Sequence, residues 1–317
     1  MLRYLVLRTF MTIPILFGVS IVVFILIQLI PGDPVRTMLG TEATQEAVEQ
    51  LRKDMGFDQP LYVQYVHWLL KVLQGDFGKS IALHVPVADL LLPKLGNTII
   101  LTIGSMLVCT LIGGMTGIIA GLKKDSWFDR ISSGWALIGA SMPVFWLALM
   151  LMWFFSIYLG ILPVSGMYNL RNPGGIPDLL LHLILPSVAT ATVSTAVIAR
   201  ITRSVIIEIQ QKEYVRFFQS FGLSSFTNTT RHVLRNAFSP ILNITGLQIG
   251  YIMGGALFSE VVFAWPGLGQ RIYIAITAKD YPVIQAGILM IAVAFVLVNL
   301  MIDIINMAIN PKLRDSI

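Results

Sequence analysis

The sequence predicts an all-α membrane protein with six transmembrane helices, forming one domain over residues 1–317. The chain is 56% hydrophobic and only 12% charged, whereas soluble domains are about one quarter charged. Its apolar residues fall in long runs, and a basic, polar segment of residues 200–240 separates two of these runs. A soluble core could not bury so much apolar surface, so we expect the excess to face membrane lipid.

The first predicted span is an apolar run without a charged residue between Arg8 and Asp33. A helix of about 20 residues crosses the roughly 30 Å hydrocarbon layer of a bilayer. A cleaved signal peptide has a shorter apolar region that is followed by a small-residue cleavage site. This run ends in Leu29-Ile30-Pro31-Gly32-Asp33 instead, so we interpret it as an uncleaved first helix.

The remaining apolar runs predict five further spans. They cover residues 97–122, 131–160, 179–199, 241–259 and 283–309. Pro143 interrupts the third span, so we expect that span to be long or tilted. The second span carries Gly113, Gly114, Gly117 and Gly121, whose small faces let a neighbouring helix approach closely. We interpret these glycines as packing positions, with a gate as the alternative.

The connection between the first two spans, about residues 31–96, is predicted to be an external loop that contains a helix. Pro60 suits the first position of a helix. Apolar residues then follow at helical spacing. They are Leu61, Tyr65, Trp68, Leu69 and Val72. We expect a surface helix packed on the outer ends of the spans, and a docking surface for an external partner is the alternative.

The distribution of lysine and arginine predicts a multi-pass protein with both termini in the cytoplasm. In that orientation the inner segments carry 13 of the 22 Lys and Arg residues, and the outer segments carry nine, offset by eleven acids. The short connection at about 123–130 and the segment 200–240 decide the orientation, because cytoplasmic loops are enriched in these two residue types.

The sequence predicts neither catalytic residues nor a metal site. The histidines are scattered at His67, His84, His182 and His232. No two of them have ligand spacing on one helix face. Gly78-Lys79-Ser80 looks like the end of a phosphate-binding loop, but Leu73 stands where that loop needs its first glycine. We therefore expect no cofactor, no nucleic-acid partner and no ATP hydrolysis by this chain alone.

The polar segment 200–240 is predicted to contain two short helices. The first, from Lys212 to Ser220, would end at Gly222, a usual residue at a helix C-terminus. Ser225 or Thr227 would cap a second helix that runs toward Pro240.

Aromatic residues on the first of these helices predict a docking surface. Phe217 and Phe221 are four residues apart and share a helix face, with Phe218 beside them. Aromatic residues with arginine nearby are typical anchors of protein interfaces. The alternative is that the rings pack against the inner ends of the spans.

Ordered motifs along essentially the whole chain identify a family. They include Ile30-Pro31-Gly32-Asp33-Pro34, Gln74-Gly75-Asp76-Phe77-Gly78, Glu213-Tyr214-Val215-Arg216, Arg231-His232-Val233-Leu234-Arg235-Asn236, Phe263-Ala264-Trp265-Pro266-Gly267-Leu268-Gly269 and Asp280-Tyr281-Pro282-Val283. In this order they resemble the inner-membrane permease subunits of peptide/nickel-type ABC importers, the dipeptide, oligopeptide and glutathione group.

The resemblance implies a type I ABC importer permease-like fold with an ATPase-coupling element, the EAA motif, in the cytoplasmic loop at about 200–240. By position, Arg216, Phe217 and Phe218 occupy the first three places of that motif, and Gly222 matches its glycine. Small residues are usual at its second or third place, where this chain has two phenylalanines. The coupling residues implied are Glu213, Arg216, Phe217, Phe218, Phe221, Gly222 and Arg231.

The resemblance also implies partners and a cargo. The partners are a homologous second permease subunit, two ATP-binding cytoplasmic subunits and an external solute-binding protein, all at the cytoplasmic (inner) membrane. Di- or oligopeptides or glutathione would be the cargo, with nickel or another metal chelate as the alternative. A secondary transporter with intramembrane acids and an intramembrane enzyme remain as competing classes.

Three residues are candidates for the translocation path: Glu260, Trp265 and Asp303. Asp303 is the one acid within a predicted span, and such acids are functional candidates. It lies about 20 residues, or roughly 30 Å, into the last span, so pairing with an inner arginine or snorkelling is the alternative. Glu260 and Trp265 would line the outer mouth of the path, with an interfacial anchor and turn as the alternative.

Overall fold

The computed structural model describes residues 2–29, 44–54, 58–169 and 171–309, and no β-strand lies within them. The helices are α1 (Leu2–Leu29), α2 (Gln45–Asp54), α3 (Leu61–Leu73), α4 (Val87–Leu122), α5 (Trp127–Ser141), α6 (Val144–Tyr158), α7 (Gly175–Gln210), α8 (Glu213–Ser220), α9 (Ser225–Val262), α10 (Leu268–Thr277) and α11 (Tyr281–Ile309). Residues 31–43 of the predicted external loop lie outside the described ranges.

Five of the described helices are long and apolar enough to cross a membrane, or six spans if α5 and α6 together form one. The five are α1, α4, α7, α9 and α11. Helix α7 lies at the centre of the bundle, where it packs against α4, α5, α6 and α9. The predicted all-α membrane fold is therefore confirmed.

The third predicted span, 131–160, is two helices that meet at 107° rather than one long or tilted helix. Met142 ends α5 with an extended backbone, at φ −80° and ψ 129°, and Pro143 is also extended. A residue that precedes proline is pushed out of the helical region because the proline ring clashes with it. Two consecutive extended residues therefore turn the chain sharply.

Helix ends differ from the ends of the predicted spans, because hydropathy detects the hydrocarbon layer and a helix can continue into water. Helix α4 begins at Val87, ten residues before the predicted span 97–122. Most of the segment 200–240 is also helical, since α7 extends to Gln210 and α9 begins at Ser225. Pro240 lies inside α9 instead of ending a helix.

Three of the four glycines predicted as packing positions, Gly113, Gly117 and Gly121, form a close contact with α7. A Cβ added at Gly117 would lie 2.5 Å from the carbonyl oxygen of Ala199, and one added at Gly113 would lie 2.7 Å from that of Thr195. A Cβ at Gly121 would lie 2.7 Å from the Cβ of Ile206. This geometry agrees with the interpretation of these glycines as packing positions.

Replacing Gly117 by Ala is expected to lower the thermal unfolding temperature of the purified protein. The added methyl group would overlap the α7 backbone, and overpacking costs about 1–3 kcal/mol. Gly114→Ala is the matched control, since a Cβ there meets nothing within 4 Å. Equal melting temperatures for the two variants would contradict the contact.

Candidate functional site

Helix α8 is fixed to the inner ends of α7 and α9 by one buried residue, Val215. Its side chain is fully buried in a cluster with Ile206 and Ile209 of α7 and with Val233 and Ala237 of α9. The carbonyl oxygen of Val215 also accepts a hydrogen bond of 3.3 Å from the buried side-chain amide of Asn228. Residues of both long helices therefore hold α8 in place.

The turn after α8 depends on Gly222, which has a φ of +80°. This left-handed conformation costs a residue with a Cβ more than it costs glycine. The next helix is capped by Ser224, whose Oγ accepts a hydrogen bond of 3.2 Å from the backbone N–H of Thr227. The prediction of Ser225 or Thr227 as the cap was wrong. Ser224 is the last residue before the helix, one position before Ser225 and three before Thr227.

The aromatic residues of α8 divide between an exposed and a packed position. Phe217 and Phe221, the aromatic pair, are 56% and 71% exposed, and their ring centroids are 4.5 Å apart. Phe218 instead stacks on His232 at 4.1 Å. Phe226, which the sequence analysis did not single out, is 79% exposed at the start of α9. The signal in the sequence was its position two residues after the capping Ser224, in the first turn of a helix.

Charged residues lie on the helix of the aromatic pair and near the start of α9. Glu213, Arg216 and Arg231 are all exposed. Within the described part of the chain none of the three forms an ion pair. Exposed aromatic rings beside unpaired charges give this surface the composition of a protein interface.

Glu260 is fully buried and fixes the start of α10. Its Oε1 accepts a hydrogen bond of 2.6 Å from the hydroxyl of Thr98, and its Oε2 accepts one of 3.1 Å from the backbone N–H of Gln270. Gly267 leaves room for the carboxylate, because a Cβ there would lie 2.1 Å from Oε1. A carboxylate at a helix N-terminus bonds N–H groups that have no partner within the helix.

Trp265 is also fully buried, in a cluster with Leu101, Met167 and Ala256. Its indole N–H donates a 3.0 Å hydrogen bond to the carbonyl oxygen of Asn97. The side-chain amide of Asn97 in turn donates a 2.8 Å hydrogen bond to the carbonyl oxygen of Pro266. The third candidate, Asp303, lies in α11, and its side chain is outside the part of the chain that the structure describes.

Two buried carboxylates that sequence reasoning did not assign join distant segments. Asp129 of α5 binds the Nε and Nη2 atoms of Arg203 on α7, the latter at 2.7 Å. Asp280 accepts hydrogen bonds from the hydroxyl of Ser80 and the backbone N–H of Ile81, the latter at 3.0 Å. Asp280 begins the motif Asp280-Tyr281-Pro282-Val283, but the sequence does not indicate that it bonds residues about 200 positions away.

Two family models match the chain. Residues 113–315 match the binding-protein-dependent transport system inner membrane component, and residues 1–102 match the N-terminal region of the same kind of membrane component. The longer of these matches includes α8 and the loop after Glu260.

Named relatives match over the full length. The chain is 40% identical to the dipeptide transport system permease protein DppB of Alkalihalophilus pseudofirmus. The alignment covers 99% of this chain and 100% of the relative. It is also 40% identical to the glutathione transport system permease protein GsiC of Escherichia coli, with 99% of each covered.

A solved structure shares the fold. Inward-facing conformations of the MetNI methionine ABC transporter align with a TM-score of 0.55 in one crystal form and 0.57 in another, at 17% identity. The alignment covers 70% of this chain and 96% of the MetNI chain. Because a family model and full-length relatives match it, and because its fold agrees with them, the chain belongs to the family of binding-protein-dependent transport system inner membrane components.

Proposed function

We propose that this permease moves dipeptides, oligopeptides or glutathione into the cell as the membrane subunit of an ATP-driven importer. The observation that carries the proposal is the full-length 40% identity to dipeptide and glutathione permeases. The same relatives favour a peptide-like cargo over the alternative of nickel or another metal chelate. The chain is a transport subunit and not a catalytic one.

The proposed ATPase-docking surface is α8 with the aromatic pair, Glu213, Arg216, Phe218, Gly222 and Arg231. Docking would bury the two exposed rings, and the nearby charges would orient the partner. Val215 would pass any displacement of α8 to both α7 and α9, because residues of both helices enclose its side chain. This arrangement would connect ATP binding in a separate subunit to movement of the spans.

Glu260, Trp265 and Asp303 remain proposed as residues of the translocation path. The buried hydrogen bonds of Glu260 and Trp265 support the anchor alternative for the loop that joins α9 to α10. In this arrangement the buried side chains of Glu260 and Trp265 fix the conformation of the loop. The backbone and the exposed atoms of the loop would then border the path.

The proposed assembly contains this permease as one domain over residues 1–317, a homologous second permease, two ATP-binding subunits and an external solute-binding protein. Family membership supports a membrane component that works with a binding protein. The excess of Lys and Arg in the inner segments supports cytoplasmic termini.

The proposed topology predicts opposite labelling of two exposed positions. A cysteine at Gln45 should react with an impermeant maleimide added to intact cells, and a cysteine at Phe226 should react only after permeabilisation. Both side chains are exposed, so burial does not block the reagent. Cys109 is buried and should stay unlabelled. Reaction at 226 but not at 45 in intact cells would contradict the topology.

Reconstituted transport tests the function. The permease would be purified with the subunits that co-purify and placed in vesicles with its binding protein. Radiolabelled dipeptide, oligopeptide, glutathione and nickel would be offered with and without ATP. Uptake of a peptide or glutathione that requires ATP supports the proposal. Uptake driven by an ion gradient without ATP would indicate a secondary transporter instead.

A further inference from the structure

Helix α3 lies against α1 and presents three different faces along its 13 residues. One face packs on α1. A second face is an apolar row whose side chains are about half exposed or more. The third is a polar row. All three faces arise from the order of apolar and polar residues along this one helix. The proposed function uses none of them.

The first face binds α1 through aromatic contacts and one hydrogen bond. The hydroxyl of Ser20 donates to the carbonyl oxygen of Phe17 at 2.7 Å, so the hydroxyl of Tyr65 is the donor in the 2.8 Å bond between Tyr65 and Ser20. The ring of Phe24 lies edge-on to that of Tyr65 at 5.4 Å and is 5.8 Å from Trp68. Ser20 and Phe24 are buried.

The other two faces have opposite polarity. The exposed apolar row consists of Tyr62, Val66, Leu70 and Leu73. The polar row consists of Gln64, His67 and Lys71. At about 100° per residue, the centres of the three faces are roughly 120° apart around the helix. Such a helix can touch a protein on one side, an apolar medium on the second and water on the third.

The contacts with α1 set the depth of α3. The apolar span of α1 runs from Phe10 to Leu29. The contacted residues Gln28, Phe24 and Ser20 lie one, five and nine residues from the end of that span, or about 1.5, 7.5 and 13.5 Å along the helix axis, so Phe24 marks the middle of the contact. The side-chain amide of Gln28 reaches that of Gln64 at 3.5 Å. Amphipathic helices in a membrane interface lie about 5–10 Å below the boundary between headgroups and acyl chains.

Exposed apolar residues of α1 flank the positions that α3 contacts. Val22, Ile25, Leu26 and Leu29 of α1 are each about half exposed or more. Since α1 crosses the bilayer, these side chains meet acyl chains, and the contacts of Tyr65 and Trp68 hold α3 beside this stretch of α1. Water contact at Tyr62 and Leu73, which are 72% and 74% exposed, would carry a hydrophobic cost that lipid removes.

We propose that α3 is an interfacial helix whose apolar row binds the acyl chains of the leaflet at the Leu29 end of α1. The polar row faces the headgroups and water. Lipid therefore covers the exposed apolar row, and α3 supports α1 laterally at the membrane surface.

Spin labels distinguish lipid from water and from protein at these positions. Single cysteines at Val66 and Leu70 test the apolar row, and cysteines at His67 and Lys71 are matched controls on the same helix. Cys109, the one cysteine of the chain, is replaced by Ser. The purified complex is reconstituted in vesicles of phosphatidylcholine and phosphatidylglycerol, and collision with oxygen and with a water-soluble nickel chelate is measured by power saturation.

Labels at Val66 and Leu70 should show a severalfold higher oxygen-to-nickel collision ratio than labels at His67 and Lys71. Equal, nickel-accessible labels on both rows would place the apolar row in water and overturn the proposal. Exclusion of both reagents from Val66 and Leu70 would mean that a protein covers the row, and this result would also overturn it. The measurement needs no transport activity, so its failure is separate from failure of the proposed function.

Discussion

Replacing both Phe217 and Phe221 by Asp is expected to abolish ATP-driven uptake while the protein stays in the membrane. The two rings are exposed and touch each other at 4.5 Å, so their loss removes few contacts within the chain. An apolar partner surface would have to desolvate two carboxylates. If this costs about 3 kcal/mol, docking weakens roughly 100-fold. Uptake and co-purification of the ATPase would both be measured.

The matched control for the aspartate pair is replacement of the same two residues by Leu. Leucine keeps an apolar surface at both positions, so this variant should retain most of the uptake. Gly222→Pro should resemble the aspartate pair, because proline fixes φ near −65° and the turn needs +80°. Normal solute-stimulated ATPase activity in the aspartate pair would show that docking uses another surface.

Replacing Glu260 by Ala is expected to cause the largest loss of stability. The change leaves the hydroxyl of Thr98 and the N–H of Gln270 without their buried acceptor, and each unsatisfied group costs about 1–3 kcal/mol. It also opens a cavity beside Gly267. Glu260→Gln fills the same space and keeps one acceptor oxygen, so the melting temperatures should fall in the order unmutated, Gln, Ala. Glu49→Ala, at an exposed glutamate, is the control for loss of a charge.

Transport by the glutamine variant separates the two hypotheses for the loop after Glu260. A variant that melts near the unmutated temperature but transports slowly would support a role of the carboxylate in the translocation path. If Glu260→Gln and Trp265→Ala both transport at the unmutated rate, the loop is a structural anchor. A Glu260→Ala variant that melts unchanged would contradict the importance of the buried hydrogen bonds.

Local patterns in the sequence predicted the spans and α8 because both depend on neighbouring residues. Apolar runs mark the hydrocarbon crossings, and Gly222 marks the end of α8 because its φ is positive. The 107° angle after Met142 was not predictable, since a proline shows where a helix breaks but not how far the chain turns. The helix ends were missed because a polar residue such as Arg200 continues α7 without interruption.

Contacts between distant residues could not be predicted from one sequence. Glu260 meets Thr98 across 162 positions, and Asp129 meets Arg203 across 74. A glutamate at the end of an apolar run is equally consistent with a solute contact and with a buried helix cap. Only the position of its neighbours in space distinguishes these roles. The same holds for the aromatic residues of α8, of which Phe218 packs inward and the aromatic pair does not.

The length of α7 has a mechanical consequence. Its 36 residues extend about 54 Å, whereas a bilayer with its headgroups is about 40–45 Å thick. The helix is therefore longer than the bilayer is thick, and its Gln210 end lies beside α8. The glycine contact with α4, centred near Ala199, lies toward the α8 end of the helix. A pivot of about 10° at this contact would therefore move the end beside α8 by about 3 Å and the opposite end by about 6 Å the other way.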